Sequence, residues 1–333
     1  MYLANIGVPS LIAFAVCFFL LRWLLRGRLA QAVMDQPNHR SLHTAPTPRI
    51  GGLGVLGGIL CGGVLAGGLS SPLLILLILL LLLGGFCFLD DRKGLSAAVR
   101  LSVHLLVVAA WIISLGKVGG GDTAHWLLIL GLTFALGWMM NLYNFMDGAN
   151  GLAGGMAVFG FAAYGAAAAL AGQPELAALG FVIAASAMAF LLFNFDPARV
   201  FLGDAGSIPL GFLAGALGLW GWQTAAWPPW FPLLVFSPFI VDATVTLLRR
   251  ALRGEKVWQA HHDHAYQRLV RCGWSHRRLA LSAYGLMTAC AASALLLRGM
   301  DMIVVAISLS LWAAIYAALL LVVARRWQQG NQP

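Results

Sequence analysis

Residues 72–93 read PLLILLILLLLLGGFCFLDDRK, an unbroken apolar run from Pro72 to Leu89 that ends on two adjacent carboxylates, Asp90 and Asp91. A run of that length matches a helix that crosses a bilayer, which takes about 20 residues. Adjacent acids at a bilayer edge lose hydration and repel each other, so a divalent cation or a phosphate-bearing substrate is a natural reason to keep them there. The alternative is a polar helix end neutralised by Arg92 and Lys93.

The rest of the chain has the same character. Its 333 residues are 60% hydrophobic and 10% charged, with a mean hydropathy of +0.84, which excludes a soluble fold. The composition predicts an all-α polytopic membrane bundle, one membrane-embedded domain over residues 1–333. About eleven spans are expected, near 6–25, 49–68, 72–89, 97–115, 124–142, 153–171, 175–193, 207–223, 229–248, 279–297 and 302–323. No basic segment precedes the first, and Arg22, Arg26 and Arg28 follow it, so it reads as an uncleaved span with the N-terminus outside and the C-terminus cytoplasmic. With that parity, 19 of the 21 Lys and Arg residues fall on the inner side and only Lys117 and Arg298 outside. Trp220, Trp222, Trp227 and Trp230 gather at the predicted outer edge, as an interfacial belt does. Membrane topology therefore explains the net charge of +9, and no basic run interleaved with aromatics suggests nucleic acid. The five cysteines are scattered without metal-ligand spacing.

Half of the positions from Gly51 to Gly68 are glycine, with pairs four apart at Gly54/Gly58 and Gly58/Gly62. Small residues at that spacing let helices approach closely in lipid, which accounts for them better than a phosphate-binding loop.

The polar chemistry falls on the predicted inner segments. Residues 35–43 (DQPNHRSLH) bring Arg40 and His43 near turn-forming prolines, a setting for phosphate oxygens. Residues 141–151 (NLYNFMDGANG) place Asn141, Asn144, Asp147 and Asn150 three apart, and on a helix the first three share one face that continues into the membrane. Such a stripe suits reading of a base, a sugar amide or hydroxyls, or else polar contact between helices. Asp204 sits in a glycine-flanked turn, FLGDAGS, just before a span. Hard oxygen ligands favour Mg²⁺ or Mn²⁺, although a helix cap is the plainer role for a lone Asp there. The last inner segment holds His261, His262, Asp263, His264 and Arg268. Lacking a cysteine partner, these histidines suit phosphate or sugar better than zinc, on a loop expected to face solvent.

Taken together, Asp35-x-Pro37-x-x-Arg40-x-x-His43, Asp90-Asp91, Asn144-x-x-Asp147-Gly148-x-Asn150-Gly151, Phe201-Leu202-Gly203-Asp204-x-Gly206-Ser207 and the late His segment resemble the polyprenyl-phosphate N-acetylhexosamine-1-phosphate transferase superfamily (bacterial glycosyltransferase family 4). The motifs run in family order over residues 35–268. The resemblance implies a multi-pass enzyme of the bacterial inner membrane that moves N-acetylhexosamine 1-phosphate from a UDP-sugar to undecaprenyl phosphate and releases UMP. It implies that Asp90, Asp91 and Asp204 are catalytic, that Asp91 and Asp204 hold Mg²⁺, and that Asn144, Asp147, Asn150 and Phe201 surround the nucleotide. Asn141, Arg40, His43 and Arg268 join the substrate contacts, and His261 and His264 meet the pyrophosphate or sugar. A homodimer is compatible with such a chain. Two departures matter. The family often has an acid where this chain has Asn150, and the phospho-N-acetylmuramoyl-pentapeptide branch usually has three consecutive histidines followed by Phe-Glu. His261-His262-Asp263-His264-Ala265-Tyr266 favours the type that starts O-antigen synthesis. The peptidoglycan branch is the alternative, and an ion-coupled transporter is the alternative of another class, with Asp242 its one acid well inside a span.

Overall fold

The structure is a computed structural model that describes residues 2–37, 42, 45–67, 70–116, 123–256 and 261–330. Arg40, His43 and Lys117 lie outside them. The chain opens with α1 (Tyr2–Leu24) and a short α2 (Arg28–Ala32), then an antiparallel pair, β1 (Met34–Asp35) with β2 (Thr47–Pro48), in which Met34 faces Pro48. Seven apolar helices follow: α3 (Gly51–Gly67), α4 (Ser71–Lys93), α5 (Ala97–Ser114), α6 (Thr123–Phe145), α7 (Leu152–Leu170), α8 (Pro174–Asn194) and α9 (Asp204–Gln223). The remainder comprises α10 (Trp230–Val235), α11 (Ser237–Leu252), α12 (Ala265–Arg271), α13 (His276–Leu297) and α14 (Met302–Gly330).

Nine helices among the described residues are long and apolar enough to cross a membrane. The second expected span is the shorter α3, and the expected span at 229–248 is not one helix. It breaks at Phe236 into α10 and α11, because Pro238 supplies no N–H to continue the ladder. Ser237 Oγ donates to the Leu234 carbonyl at 2.7 Å and so satisfies an acceptor freed by the break. The last helix runs to Gly330, beyond the expected 323, and carries Arg325, Arg326 and Trp327 past the apolar stretch.

Burial is greatest in α7, α8 and α9, while α14 keeps large apolar side chains such as Ile303, Ile307 and Leu311 exposed on a surface suited to lipid. The glycines of α3 act in packing. A Cβ on Gly58 would stand 2.5 Å from the Ala13 carbonyl oxygen of α1 and 2.6 Å from Ser186 Oγ of α8. Gly52 is tighter still, since its Cβ would meet the backbone nitrogen of Gly206 at 2.3 Å. With no side chain on either residue, the N-termini of α3 and α9 cross in direct backbone contact.

Candidate active site

That crossing builds the floor of the site. The extended segment before α9 lies along the entry to α3: Phe201 N–H donates to Pro48 O (2.9 Å), and Gly51 and Gly52 donate to Phe201 O (2.9 Å) and Leu202 O (2.8 Å). The chain then turns at Gly203, whose φ of +70° suits glycine, and Asp204 opens α9. On the other side α4 ends at Gly94, in the left-handed region at φ +66°, with its N–H on the Asp90 carbonyl. Asp90 and Asp91 thus occupy the last turn of α4, beside the first turn of α9.

The two acids do different things. Asp91 Oδ2 accepts the backbone N–H of Ala205 at 3.3 Å, a carboxylate at a helix N-terminus. Asp90 is buried, accepts the Leu95 N–H at 2.7 Å, and pairs with Arg100 Nε at 3.5 Å. Arg100 also stands 3.9 Å from Asp204 and is itself 40% exposed, so it spans the two acids with its guanidinium still open to an arriving anion. Sequence reading missed Arg100, which lies four residues into a predicted span and looks like an inner-edge anchor there.

Helix α6 brings its polar stripe to the same place. Asn144 accepts from Ser207 Oγ at 2.8 Å and hydrogen-bonds Asp204, tying the end of α6 to the start of α9. Asp147 follows the last turn, and burial first, then the negative charge of Asp204, pushes its carboxyl well above the ordinary carboxylate range, with Arg49 opposing. Asn141 and Asn150 stand apart from this group. Asn141 donates to Gly137 O of its own helix at 2.8 Å. Asn150 donates through its side chain to Asp196 (3.0 Å) and through its backbone to His276 Nδ1 (3.2 Å). His276 Nε2 faces Leu42 O at 3.1 Å. With Nδ1 accepting, the ring proton belongs on Nε2, so this unforeseen histidine links the Asn150 turn to the segment at Leu42.

The expectation that the histidine segment faces solvent is corrected. His264 is 3% exposed, stacked near Phe145 and Tyr266 at centroid separations of 6.2 and 5.8 Å, with His261 tilted against it at 4.8 Å. Asp242 of α11 explains this burial: its carboxylate accepts the N–H groups of Ala265 (2.7 Å) and Tyr266 (3.1 Å) and so caps α12 from another helix. The acid that the transporter reading needed is therefore a structural cap. His261 is neutral near pH 7, its pKa lowered to about 4 by burial, then by His264 and Arg250. Arg268 and Arg250 share Asp263, at 3.4 and 2.5 Å.

Four carboxylates (Asp90, Asp91, Asp147, Asp204) thus converge electrostatically where α4 and α6 end and α9 begins, opposed mainly by Arg49 and Arg100. Arg49 is partly spent on Asp35 at 2.5 Å. Among the described residues no three His, Cys, Asp or Glu side chains form a preassembled metal cage. Excess negative charge carried on hard oxygens still fits Mg²⁺, which is commonly held by one or two carboxylates with substrate phosphates completing its shell.

Comparison with known proteins gives this arrangement a family. The glycosyl transferase family 4 model matches residues 73–221, from α4 to α9. A decaprenyl-phosphate N-acetylglucosaminephosphotransferase of Mycobacterium leprae is 30% identical over 299 residues, covering 74% of this chain and 72% of that one. The chain belongs to the polyprenyl-phosphate hexosamine-1-phosphate transferase superfamily. It is also 29% identical to a probable undecaprenyl-phosphate N-acetylglucosaminyl 1-phosphate transferase of Bacillus subtilis, over 87% of this chain and 82% of the relative. A phospho-N-acetylmuramoyl-pentapeptide-transferase of Listeria monocytogenes is 26% identical over 84% and 90%.

As a polyprenyl-phosphate sugar-1-phosphate transferase, the protein is a multi-pass enzyme of the bacterial inner membrane. The matched region contains Asp90, Asp91, Arg100, Asn144, Asp147 and Asp204, whereas His261, His264 and Arg268 come from a later segment that α11 and Asp242 hold in place.

Proposed function

We propose that this transferase moves N-acetylhexosamine 1-phosphate from a UDP-sugar to undecaprenyl phosphate, releasing UMP, on the cytoplasmic side of the membrane. The observation that carries the proposal is the meeting of Asp91 with the first turn of α9 beside Asp204, with Arg100 between Asp204 and Asp90. A lipid phosphate oxygen bonds to the β-phosphorus, and the bond from that phosphorus to the bridging oxygen breaks, so that oxygen leaves with UMP. Both reactants are anions, and catalysis rests on positioning and screening more than on covalent help from the protein. Asp91 and Asp204 would hold Mg²⁺, or Mn²⁺ in its place, and the bound cation would neutralise charge on the two phosphate groups. Asp90, buried and tied to Arg100, orients that guanidinium and accepts the last proton of the lipid phosphate, whose second pKa is about 6. Asn144 and Asp147 face the donor, Phe201 lies beside the nucleotide, and Arg268 and the histidines form the wall toward the sugar. The N-acetylglucosaminyl 1-phosphate transferases among the relatives favour an N-acetylglucosamine type of donor, and the Asp263 that interrupts the histidines favours the O-antigen type.

The test is a donor panel. Purified protein in nanodiscs receives undecaprenyl phosphate and labelled UDP-N-acetylglucosamine, other UDP-N-acetylhexosamines or UDP-N-acetylmuramoyl-pentapeptide. A labelled lipid from UDP-N-acetylglucosamine or another UDP-N-acetylhexosamine that carries no peptide is expected. A lipid formed only from the pentapeptide donor would assign the peptidoglycan branch.

A further inference from the structure

An apolar cavity of about 380 Å³ lies between α11, α13 and α14, lined by Phe239, Leu286, Leu320 and Trp274 among others. Its far wall is the back of the active site, Asp242 with Ala265 and Tyr266 of α12. At Trp274 the cavity reaches the charged edge of the bundle. The Arg278 guanidinium carbon stands 4.3 Å from the Trp274 ring centroid and that of Arg326 stands 5.9 Å from it. Arg277, Arg278, Arg325 and Arg326 are exposed, and among the described residues no carboxylate lies within 4.0 Å of them. Arg49, Arg100, Arg250 and Arg268, by contrast, each have at least one.

Membrane anchoring accounts for arginines at this edge, but not for two of them gathered on one indole that also lines an apolar chamber. We infer that this is a binding site for an anionic phospholipid of the bilayer, one acyl chain in the cavity and the phosphate diester on Arg278 and Arg326. Charge complementarity selects the headgroup, since unneutralised cations at a membrane surface attract anionic lipid. The chain, once seated, fills space behind Tyr266 and braces α12. Arg268 of α12, 5.6 Å from the Trp327 ring, adds a second link between that helix and α14.

The experiment uses the whole protein in phosphatidylcholine nanodiscs doped with phosphatidylglycerol or phosphatidylcholine brominated on its acyl chains. The difference between wild type and Trp274→Phe isolates the Trp274 fluorescence. Brominated phosphatidylglycerol should quench it several-fold more efficiently than brominated phosphatidylcholine, and Arg278→Gln with Arg326→Gln should remove that preference. Thermal unfolding in phosphatidylcholine alone should match for wild type and double variant, while added phosphatidylglycerol should raise it only in wild type. If the double variant does not fold, Arg326→Gln alone, on the exposed end of α14, should reduce the preference. Equal quenching by the two lipids would overturn the inference, as would displacement by inorganic phosphate alone. Displacement by polyprenyl phosphate in preference to phosphatidylglycerol would assign the cavity to substrate and overturn it equally.

Discussion

Asp91, in the last turn of α4, accepts the backbone N–H of Ala205, in the first turn of α9, at 3.3 Å. Two membrane helices thereby present a carboxylate and a helix N-terminus to one point, with Asp204 beside them. A carboxylate fixed by a backbone donor is preorganised for its role, whereas Asp90 is held on Arg100 instead.

Asp91→Asn and Asp204→Asn should each lower turnover by ~10²-fold or more and raise the divalent cation concentration needed for residual activity, because an amide loses the charge that holds a hard cation. Asp90→Asn should lose a comparable factor, keep the wild-type metal requirement and recover in part as rising pH ionises the lipid phosphate. Rates measured against Mg²⁺ and against pH separate the two behaviours. The same metal shift in all three variants would make Asp90 another ligand.

Asp242 accepts two N–H groups of α12 and is buried. Asp242→Ala leaves both donors without their acceptor, a cost of about 1–3 kcal/mol for the buried Tyr266 N–H and less for the part-buried Ala265 N–H. Thermal unfolding in nanodiscs should shift down, and trypsin should cut sooner at Arg268 and Arg271. Unchanged melting and cleavage would mean that α12 is held by packing alone.

Much of this was legible before the structure, and what was missed has physical causes. The Asp90-Asp91, Asn144, Asp147 and Asp204 motifs were readable because each combines acids or amides with a helix end or a glycine turn. Arg100 and His276 were not, since each is a single polar residue in the first turn or so of a helix and acquires meaning only from residues distant in sequence. The burial of His264 was hidden because HHDH is locally polar, while Phe145, Tyr266 and Asp242, which cover it, come from other segments. The break at Phe236 was lost because hydropathy averages across α10 and the start of α11 and does not register the helix end between them.

Glycine packing gives a sharper test of the floor. Gly52→Ala would place a methyl group 2.3 Å from the Gly206 backbone nitrogen, where no side chain can yield, and should cost about 1–3 kcal/mol together with most activity. Gly131→Ala, in α6 with nothing within 4 Å of the added Cβ, should leave both stability and activity intact. Equal tolerance at the two positions would show that α3 and α9 separate more readily than their contact implies.

His261 supplies a pH prediction. Its pKa is lowered from 6.5 to about 4, so on acidification the unfolded chain takes up this proton before the folded one does. The stability linked to it is complete above about pH 6.5 and is lost as pH falls toward 4. Melting temperatures across that window should fall less steeply for His261→Gln than for wild type. Parallel curves would mean that the imidazole is free to protonate in the fold.

The central claim is that the site joining α4, α6 and α9 transfers a sugar 1-phosphate between two phosphate-bearing substrates. Its most direct test is UMP release from the purified protein in nanodiscs, with UDP-N-acetylglucosamine and undecaprenyl phosphate supplied together and each omitted in turn. The account predicts UMP only when both are present with Mg²⁺, and loss of that signal in Asp204→Asn. UMP formed without the lipid phosphate, or equal release by Asp204→Asn, would contradict it.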